Sequence, residues 1–290
     1  MSACDSCPSK SGCKSQSTCP SANADNNQAP KEPQGPTFDA VNKNSSVKKV
    51  IGVCSGKGGV GKSFVTSMLA VELARKGLKV GILDSDITGP SIPRSFGLKN
   101  NLVANEQNFL IPAVTKNGIK VVSLNLLMAD EEQPVVWRGP VISGLVRQFW
   151  TDVEWGMLDV LLIDMPPGTG DVPLTVYQSI PVDGLVMVST PQDLVSMIVA
   201  KARNMASMMN VNIMGLVENM AYTTCPCCNE RINLFGSDEV LKKATAEAGI
   251  PVLDELPLDP QTTAKVDSGC AEDVEKSFLD NTVAAIQAML

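Results

Sequence analysis

Residues 56–64 read GKGGVGKSF and follow directly on the apolar run KVIGVCS at 49–55. Gly56, Gly61, Lys62 and Ser63 satisfy the spacing G-x-x-x-x-G-K-[ST], and the required context is present: a strand pattern before the loop and a helical one after it, VTSMLAVELARKG at 65–77. Glycine-rich backbone running from Gly56 through Lys57, Gly58, Gly59, Val60 and Gly61 to Phe64 can turn its N–H groups around phosphates at the positive end of a helix. Lys62 then reaches the β and γ oxygens, and Ser63 ligates Mg2+. The competing reading is a tight strand-to-helix turn with no ligand.

Outward from this loop, strand-like and helix-like runs alternate. LKVGILDSD at 78–86, IKVVSLNLL at 119–127, LDVLLIDMP at 158–166, GLVMVST at 184–190, NIMGLVENM at 212–220 and VLDELP at 252–257 read as strands. Helices are expected near 140–154, 193–209 and 237–248 and at the C-terminus. Val65, Met68, Leu69 and Leu73 keep the helical period, and Gly77 stands where a helix-ending glycine belongs. Alternation of this kind implies an α/β fold with a mostly parallel central sheet flanked by helices on both faces. Residues 48–290 are assigned to this ATPase domain. Residues 1–20 form a cysteine-rich segment, and 21–47, rich in Asn, Pro and Ser, read as a flexible linker. A coil of that length spans on the order of 30 Å, enough to carry the segment across the domain's face.

Two carboxylate stretches complete the nucleotide site. In LDSDITGPSIP, Asp84 and Asp86 follow a strand, where ligands of open parallel sheets collect. In LLIDMPPGTGD, Asp164 ends an apolar strand, as an aspartate that holds Mg2+ through water does, and Met165 to Asp171 reads as a switch loop sensing the γ-phosphate. Histidine is absent, so an aspartate has to position the attacking water; Asp86 is assigned that role, with Asp84 as a Mg2+ or switch partner. Capping aspartates are the plain alternative for both. No N-K-x-D guanine signature follows a late strand, whereas Asn219 in LVENM ends one, so the base is read as adenine, with LPLDP at 256–260 as the other wall. Lys57 is a second lysine, poorly placed to fold back onto its own loop's phosphates, but able to reach those of a partner subunit; otherwise it is a solvated loop lysine.

The net charge of −7 argues against a general nucleic-acid or anionic-membrane surface. No apolar run approaches the roughly 18–20 residues of a membrane span, and the N-terminus lacks the regions of a signal peptide, so the cytoplasm is expected. Aromatics make up 4% of the chain against 44% hydrophobics, which implies an aliphatic core. In a reducing compartment nine cysteines are more readily metal ligands than a disulfide framework. Cys225 and Cys228 in TTCPCCNE have C-x-x-C spacing, and two thiolates are half of a zinc or 4Fe-4S ligand set, so the other half comes from elsewhere in the chain or from a symmetry mate. Cys227 makes 225/227 an alternative pair. Cys4, Cys7, Cys13 and Cys19 form a second cluster of thiols; Cys54 reads as buried packing and Cys270 as no ligand.

GKGGVGKS, with its extra lysine, resembles the deviant P-loop of the MinD/ParA-like ATPases, which implies an ATP-dependent face-to-face homodimer with Lys57 acting in trans. Together with LDSDITGPSIP, WRGPVISG, LLIDMPPGTGD, ENMAYTTCPCC and LPLDP it is similar to the Mrp/ApbC (NUBP-type) iron-sulfur carrier ATPases over about residues 48–270. That resemblance implies a 4Fe-4S cluster held by the C-x-x-C pairs of two subunits, transferred to apo iron-sulfur proteins and gated by slow ATP hydrolysis. Cys4, Cys7 and Cys13 match part of the family's N-terminal motif, with Cys19 downstream where the family has a fourth cysteine upstream. Two other functions stay open: a client-targeting ATPase bridged by zinc, and a positioning ATPase. The second needs a basic DNA-binding face or a basic amphipathic tail, and the C-terminus AEDVEKSFLDNTVAAIQAML is acidic.

Overall fold

Strands buried on both faces are written as near-continuous apolar runs, and consecutive residues of such a strand point into opposite layers. In the computed structural model, which describes residues 38–86, 91–99, 102–127, 139–191, 200, 203–204, 206–235 and 239–290, β1 (Ser46–Ser55) shows this directly. Its Val50 and Cys54 enter one hydrophobic cluster, and Ile51 and Val53 the other. The strand β7 (Met157–Asp164) divides likewise, Leu161 and Ile163 to the first cluster, Val160 and Leu162 to the second.

The remaining elements follow in order: α1 (Lys62–Arg75), β2 (Val80–Asp84), α2 (Ser91–Ser95), β3 (Val103–Ala104), β4 (Leu110–Ile111), β5 (Ala113–Val114), β6 (Lys120–Ser123), α3 (Gly139–Thr151), α4 (Asp171–Ser179), β8 (Gly184–Ser189), β9 (Ile213–Thr224), β10 (Arg231–Asn233), α5 (Glu239–Ala248), β11 (Val252–Pro257), α6 (Pro260–Asp267) and α7 (Asp280–Gln287). The main sheet runs β10-β9-β8-β1-β7-β2-β6-β5, with β11 also on β9. It is parallel except where β10 meets β9 and β5 meets β6. Helices α3 and α4 cover one face through Phe149, Trp150, Val176 and Tyr177. Helices α1 and α7 cover the other through Val65, Met68, Leu69, Leu73, Val283 and Ile286. Because β1, β2, β7 and β8 are parallel, their C-terminal ends lie along one edge, and chain direction diverges on either side of β1, the usual place for a ligand crevice.

The boundary expected at residue 47 moves. Phe38–Leu290 form one compact unit. The Asp39 N–H donates to the Ser179 carbonyl at 2.8 Å, Arg147 grips the Asp39 carboxylate at 2.8 and 2.9 Å, and the Trp150 indole donates to the Asp39 carbonyl at 2.7 Å. A polar composition without periodicity reads as a linker, yet these ties are individual hydrogen bonds that leave no periodic trace. Helix α6, capped by Asp259 and opened by Pro260, was not anticipated as a helix, although Asp before Pro at a helix start is a readable signal. The segments 1–20 and 21–37 lie outside the described residues, as does most of the helix expected at 193–209, of which 200, 203–204 and 206–208 are described and helical.

Candidate functional site

The loop between β1 and α1 needs backbone that side chains resist. Gly59 and Gly61 have φ of 79° and 78°, in the left-handed region open to glycine. Gly61 is doubly constrained, because a Cβ there would lie 2.2 Å from the Asn219 amide nitrogen. With the loop so turned, the first residue of α1 is Lys62, and its ammonium is buried against carboxylates. Nζ donates to Asp164 Oδ2 at 2.7 Å and lies 3.5 Å from Asp86 Oδ2. Ser63 Oγ donates to the same Asp164 oxygen at 2.7 Å, and one turn on, Thr66 Oγ1 donates to Asp164 Oδ1 at 2.7 Å. Three donors from one helix thus fix the carboxylate at the end of β7.

Asp84 and Asp164 are partners across β2 and β7. Asp84 is buried, accepts from Ser123 Oγ at 2.8 Å and from the Asp86 N–H at 3.1 Å, and does not line the cleft. Burial, and then the Asp164 charge beside it, push its carboxyl well above the usual carboxylate range. Asp86, two residues on, does reach the cleft. The cavity of about 740 Å³ is lined by the loop from Lys57 to Phe64, by Asp86, Arg94, Pro167 and Asn219, and by Pro257, Leu258, Thr263 and Asp267 around α6. Its size suits a nucleotide-sized ligand. The 165–171 segment is tied to the loop's base: the Met165 N–H donates to the Val53 carbonyl at 3.1 Å and the Gly168 N–H to the Ser55 carbonyl at 2.9 Å. Asn219 is buried at the cleft wall, and its Nδ2 donates to the Val60 carbonyl at 2.9 Å, so it supports the loop as well as bordering the space.

Further along β9 the chain leaves the body and turns. Thr224 pairs with Arg231 of β10, the Cys225 N–H donates to the Glu230 carbonyl and the Asn229 N–H to the Cys225 carbonyl, both at 2.9 Å. Asn229 closes the turn with φ of 59°, a conformation asparagine tolerates. The N–H groups of Cys227 and then Cys228 point at the Cys225 sulfur and hold its thiol below its usual range. Cys227 and Cys228 are exposed and Cys225 half-buried. Among the described residues no three His, Cys, Asp or Glu side chains are grouped to hold a metal ion. Cys54 is buried in β1, where burial pushes its thiol up to about 12, and Cys270 lies on the surface. Cys4, Cys7, Cys13 and Cys19 lie outside the described residues.

The sequence-designated Lys57, Lys62, Ser63 and Asp86 therefore converge on one cleft with Asp164 beneath it, while Cys225 and Cys228 sit together on a separate hairpin. Thr66, Arg94, Thr263 and Asp267 were missed. For Thr66 a signal existed, a hydroxyl one helical turn after the loop lysine; the others arrive through tertiary packing alone.

A glycine loop, a buried lysine and a strand-ending aspartate on a parallel sheet define a P-loop NTPase. The chain belongs to the family described as ParA, NUBPL iron-transfer P-loop NTPase, which matches residues 46–289. It is 50% identical over 239 residues to the iron-sulfur cluster carrier protein of Clostridium perfringens, covering 79% of this chain and 82% of that protein. A nucleotide-binding protein from Archaeoglobus fulgidus, solved in complex with ADP and with cobalt found in it, superposes with a TM-score of 0.71 at 44% identity, covering 79% of this chain and 90% of that one. The cell division ATPase MinD of Pyrococcus furiosus shares the fold, with a TM-score of 0.57 at 20% identity over 83% of this chain and 97% of that one.

Proposed function

We propose that the protein is an ATP-dependent iron-sulfur cluster carrier, in which a 4Fe-4S cluster is held by Cys225 and Cys228 of two subunits and handed to apo-proteins. The observation that carries this reading is the pairing of a complete phosphate site with an incomplete metal site in one chain. The cysteine turn offers thiols on an exposed hairpin, with N–H groups aimed at one sulfur, and no further described ligand stands close enough to finish a four-ligand set. A second copy of the chain, related by a two-fold axis, finishes it. Cluster delivery needs no acid or base, only thiolates that incoming ligands can displace.

ATP binds with its phosphates inside the loop 56–64. Ser63 Oγ and Asp164, 2.7 Å apart, are the hard oxygen donors that suit Mg2+, which when bound neutralises charge on the β and γ phosphates. Lys62 exchanges part of its contact with Asp164 for phosphate oxygens. Asp86 orients the attacking water, and Asp84, buried under the cleft, orients Asp86 by accepting from its backbone N–H. Lys57, half-buried at the cleft mouth, stabilises transition-state charge in the partner's site. The cysteines at 4, 7, 13 and 19 hold a second cluster. A positioning role fits less well, since Val283 and Ile286 of the C-terminal helix are buried in the core. The test is anaerobic purification with iron, sulfide and zinc analysis of dimer and monomer. A brown dimer with iron and sulfide supports the reading; colourless protein with stoichiometric zinc overturns it in favour of a zinc-bridged targeting ATPase.

A further inference from the structure

The nucleotide cleft and the cysteine turn hang from a single strand, and between the two that strand carries an irregularity. Parallel pairing of β9 with β8 ends at Glu218 opposite Ser189. On its other side Glu218 faces Glu255, but the next pair is Tyr222 with Pro257, so four steps of β9 oppose two of β11 and the excess bulges out. Met220 stands in this bulge with φ of 57°, a conformation side-chain-bearing residues rarely adopt.

The bulge touches the phosphate loop. Asn219 Nδ2 donates to the Val60 carbonyl at 2.9 Å, and a Cβ built on Gly61 would lie 3.5 Å from Met220 Cε. Beyond the bulge the hairpin is braced as a unit: the Leu258 N–H donates to the Tyr222 carbonyl at 2.7 Å, Arg231 lies 3.9 Å over the Tyr222 ring and binds Glu255 at 2.6 Å. Five residue steps of extended chain, roughly 17 Å, lead from Met220 to Cys225. A displacement of the loop at Val60 and Gly61 thus has a direct route along β9 to the thiols, and the irregular link on that route is the bulge.

We propose that Met220 is a positioning residue, the joint through which occupation of the phosphate loop changes the orientation of the Cys225–Cys228 turn and hence its affinity for metal. This rests on the carrier reading in requiring that the turn bind metal. The coupling is reciprocal: nucleotide changes metal affinity by the factor by which metal changes nucleotide affinity.

The probe is Co2+, whose thiolate charge-transfer band reports binding at the turn. It is titrated into the full-length dimer carrying Cys4→Ser, Cys7→Ser, Cys13→Ser and Cys19→Ser, with and without a saturating non-hydrolysable Mg-ATP analogue. In this parent the two Co2+ affinities are expected to differ at least about fivefold, the low end of ordinary coupling. Met220→Gly, which accepts the left-handed backbone and removes the side chain that lines the cleft beside Gly61, should bring the ratio below about twofold. Met220→Leu, which restores an unbranched-at-Cβ side chain, should recover most of it. Saturation in every arm keeps changed ATP affinity out of the ratio. A Met220→Gly protein with the parent's ratio overturns the joint, as does a parent with equal affinities. Co2+ binding that survives Cys225→Ser with Cys228→Ser overturns the carrier reading as well.

Discussion

The phosphate loop and the cysteine turn are both short connections at the end of a sheet strand, yet one is closed and the other open. Beneath the loop the buried charged groups already have counterparts within the chain: Lys62 on Asp164, Ser63 and Thr66 on the same carboxylate, Asp84 on Ser123. At the turn the thiols face solvent, and the contacts that shape it are backbone hydrogen bonds and one sulfur accepting two N–H groups. A site preorganised by its own protein can bind a diffusing ligand unaided. On the proposed reading, a site with half its ligands waits for a second chain and releases its cargo when that chain moves, so the contrast in completeness would divide the labour between a switch and a carrier site.

The sharpest test of the contrast is to damage each site and read the other. If the site lies on a dimer axis, Cys225→Ser or Cys228→Ser removes two ligands at once, so in protein lacking residues 1–20 bound iron should fall to background while nucleotide still binds, its affinity shifted by no more than the coupling between the sites, measured by iron analysis and nucleotide titration. Cys227→Ser should retain the cluster. The converse is Lys62→Ala. It removes the fixed cation of the phosphate site and leaves Asp164, fully buried, without its charge partner, a loss of about 3–5 kcal/mol of stability for a broken buried pair. Tight ATP binding should vanish, and thermal unfolding should report the destabilisation. Loss of iron in folded Lys62→Ala protein at the level of the cysteine variants would show that the two sites are not separable.

The same contrast explains what could be read from sequence. The loop was legible because its function is a property of contiguous residues: glycines, lysine and serine at fixed spacing between a strand and a helix. Asp164 was legible as the polar end of an apolar run. The turn was legible as thiols, not as geometry, since the N–H groups at the Cys225 sulfur depend on the hairpin closing at Asn229. Thr66 carried a signal, a hydroxyl one helical turn after the loop lysine, that was not used; the Asn219 bond to Val60 and the docking of Asp39 were out of reach, because each depends on how one element lies against another. Asp84 had been grouped with Asp86 because both follow a strand; its place under the cleft comes from its being the last residue of β2, buried between Asp164 on β7 and Ser123 on β6, whereas Asp86 lies beyond the strand's end.

A smaller effect is expected at the cleft mouth. Lys57→Ala leaves the loop's glycines and Lys62 in place, so ATP affinity should change no more than a few-fold, while turnover drops by about 10³ or more, the scale of a transition-state cation. Mixed dimers place the lysine: a subunit carrying Asp86→Ala but retaining Lys57 should restore hydrolysis to a Lys57→Ala subunit. No restoration at any mixing ratio refutes action across the interface.

The smallest expected effect probes how the closed site is held. Thr66 Oγ1 is fully buried and divides its contacts between the Lys62 carbonyl at 3.0 Å and Asp164 Oδ1 at 2.7 Å. Thr66→Val keeps the shape and deletes the donor, so one oxygen of a buried carboxylate loses a hydrogen bond, costing about 1–3 kcal/mol. Because Lys62 and Ser63 still hold the other oxygen, the carboxylate turns rather than leaves. Mg2+-dependent ATP affinity should weaken by roughly tenfold, the equivalent of about 1.4 kcal/mol, while ATP affinity without Mg2+ stays near that of the parent. Thr66→Ser, which keeps the hydroxyl, should restore most of the Mg2+ dependence. Equal losses with and without the metal would mean that Thr66 supports the loop as a whole and not the carboxylate it touches.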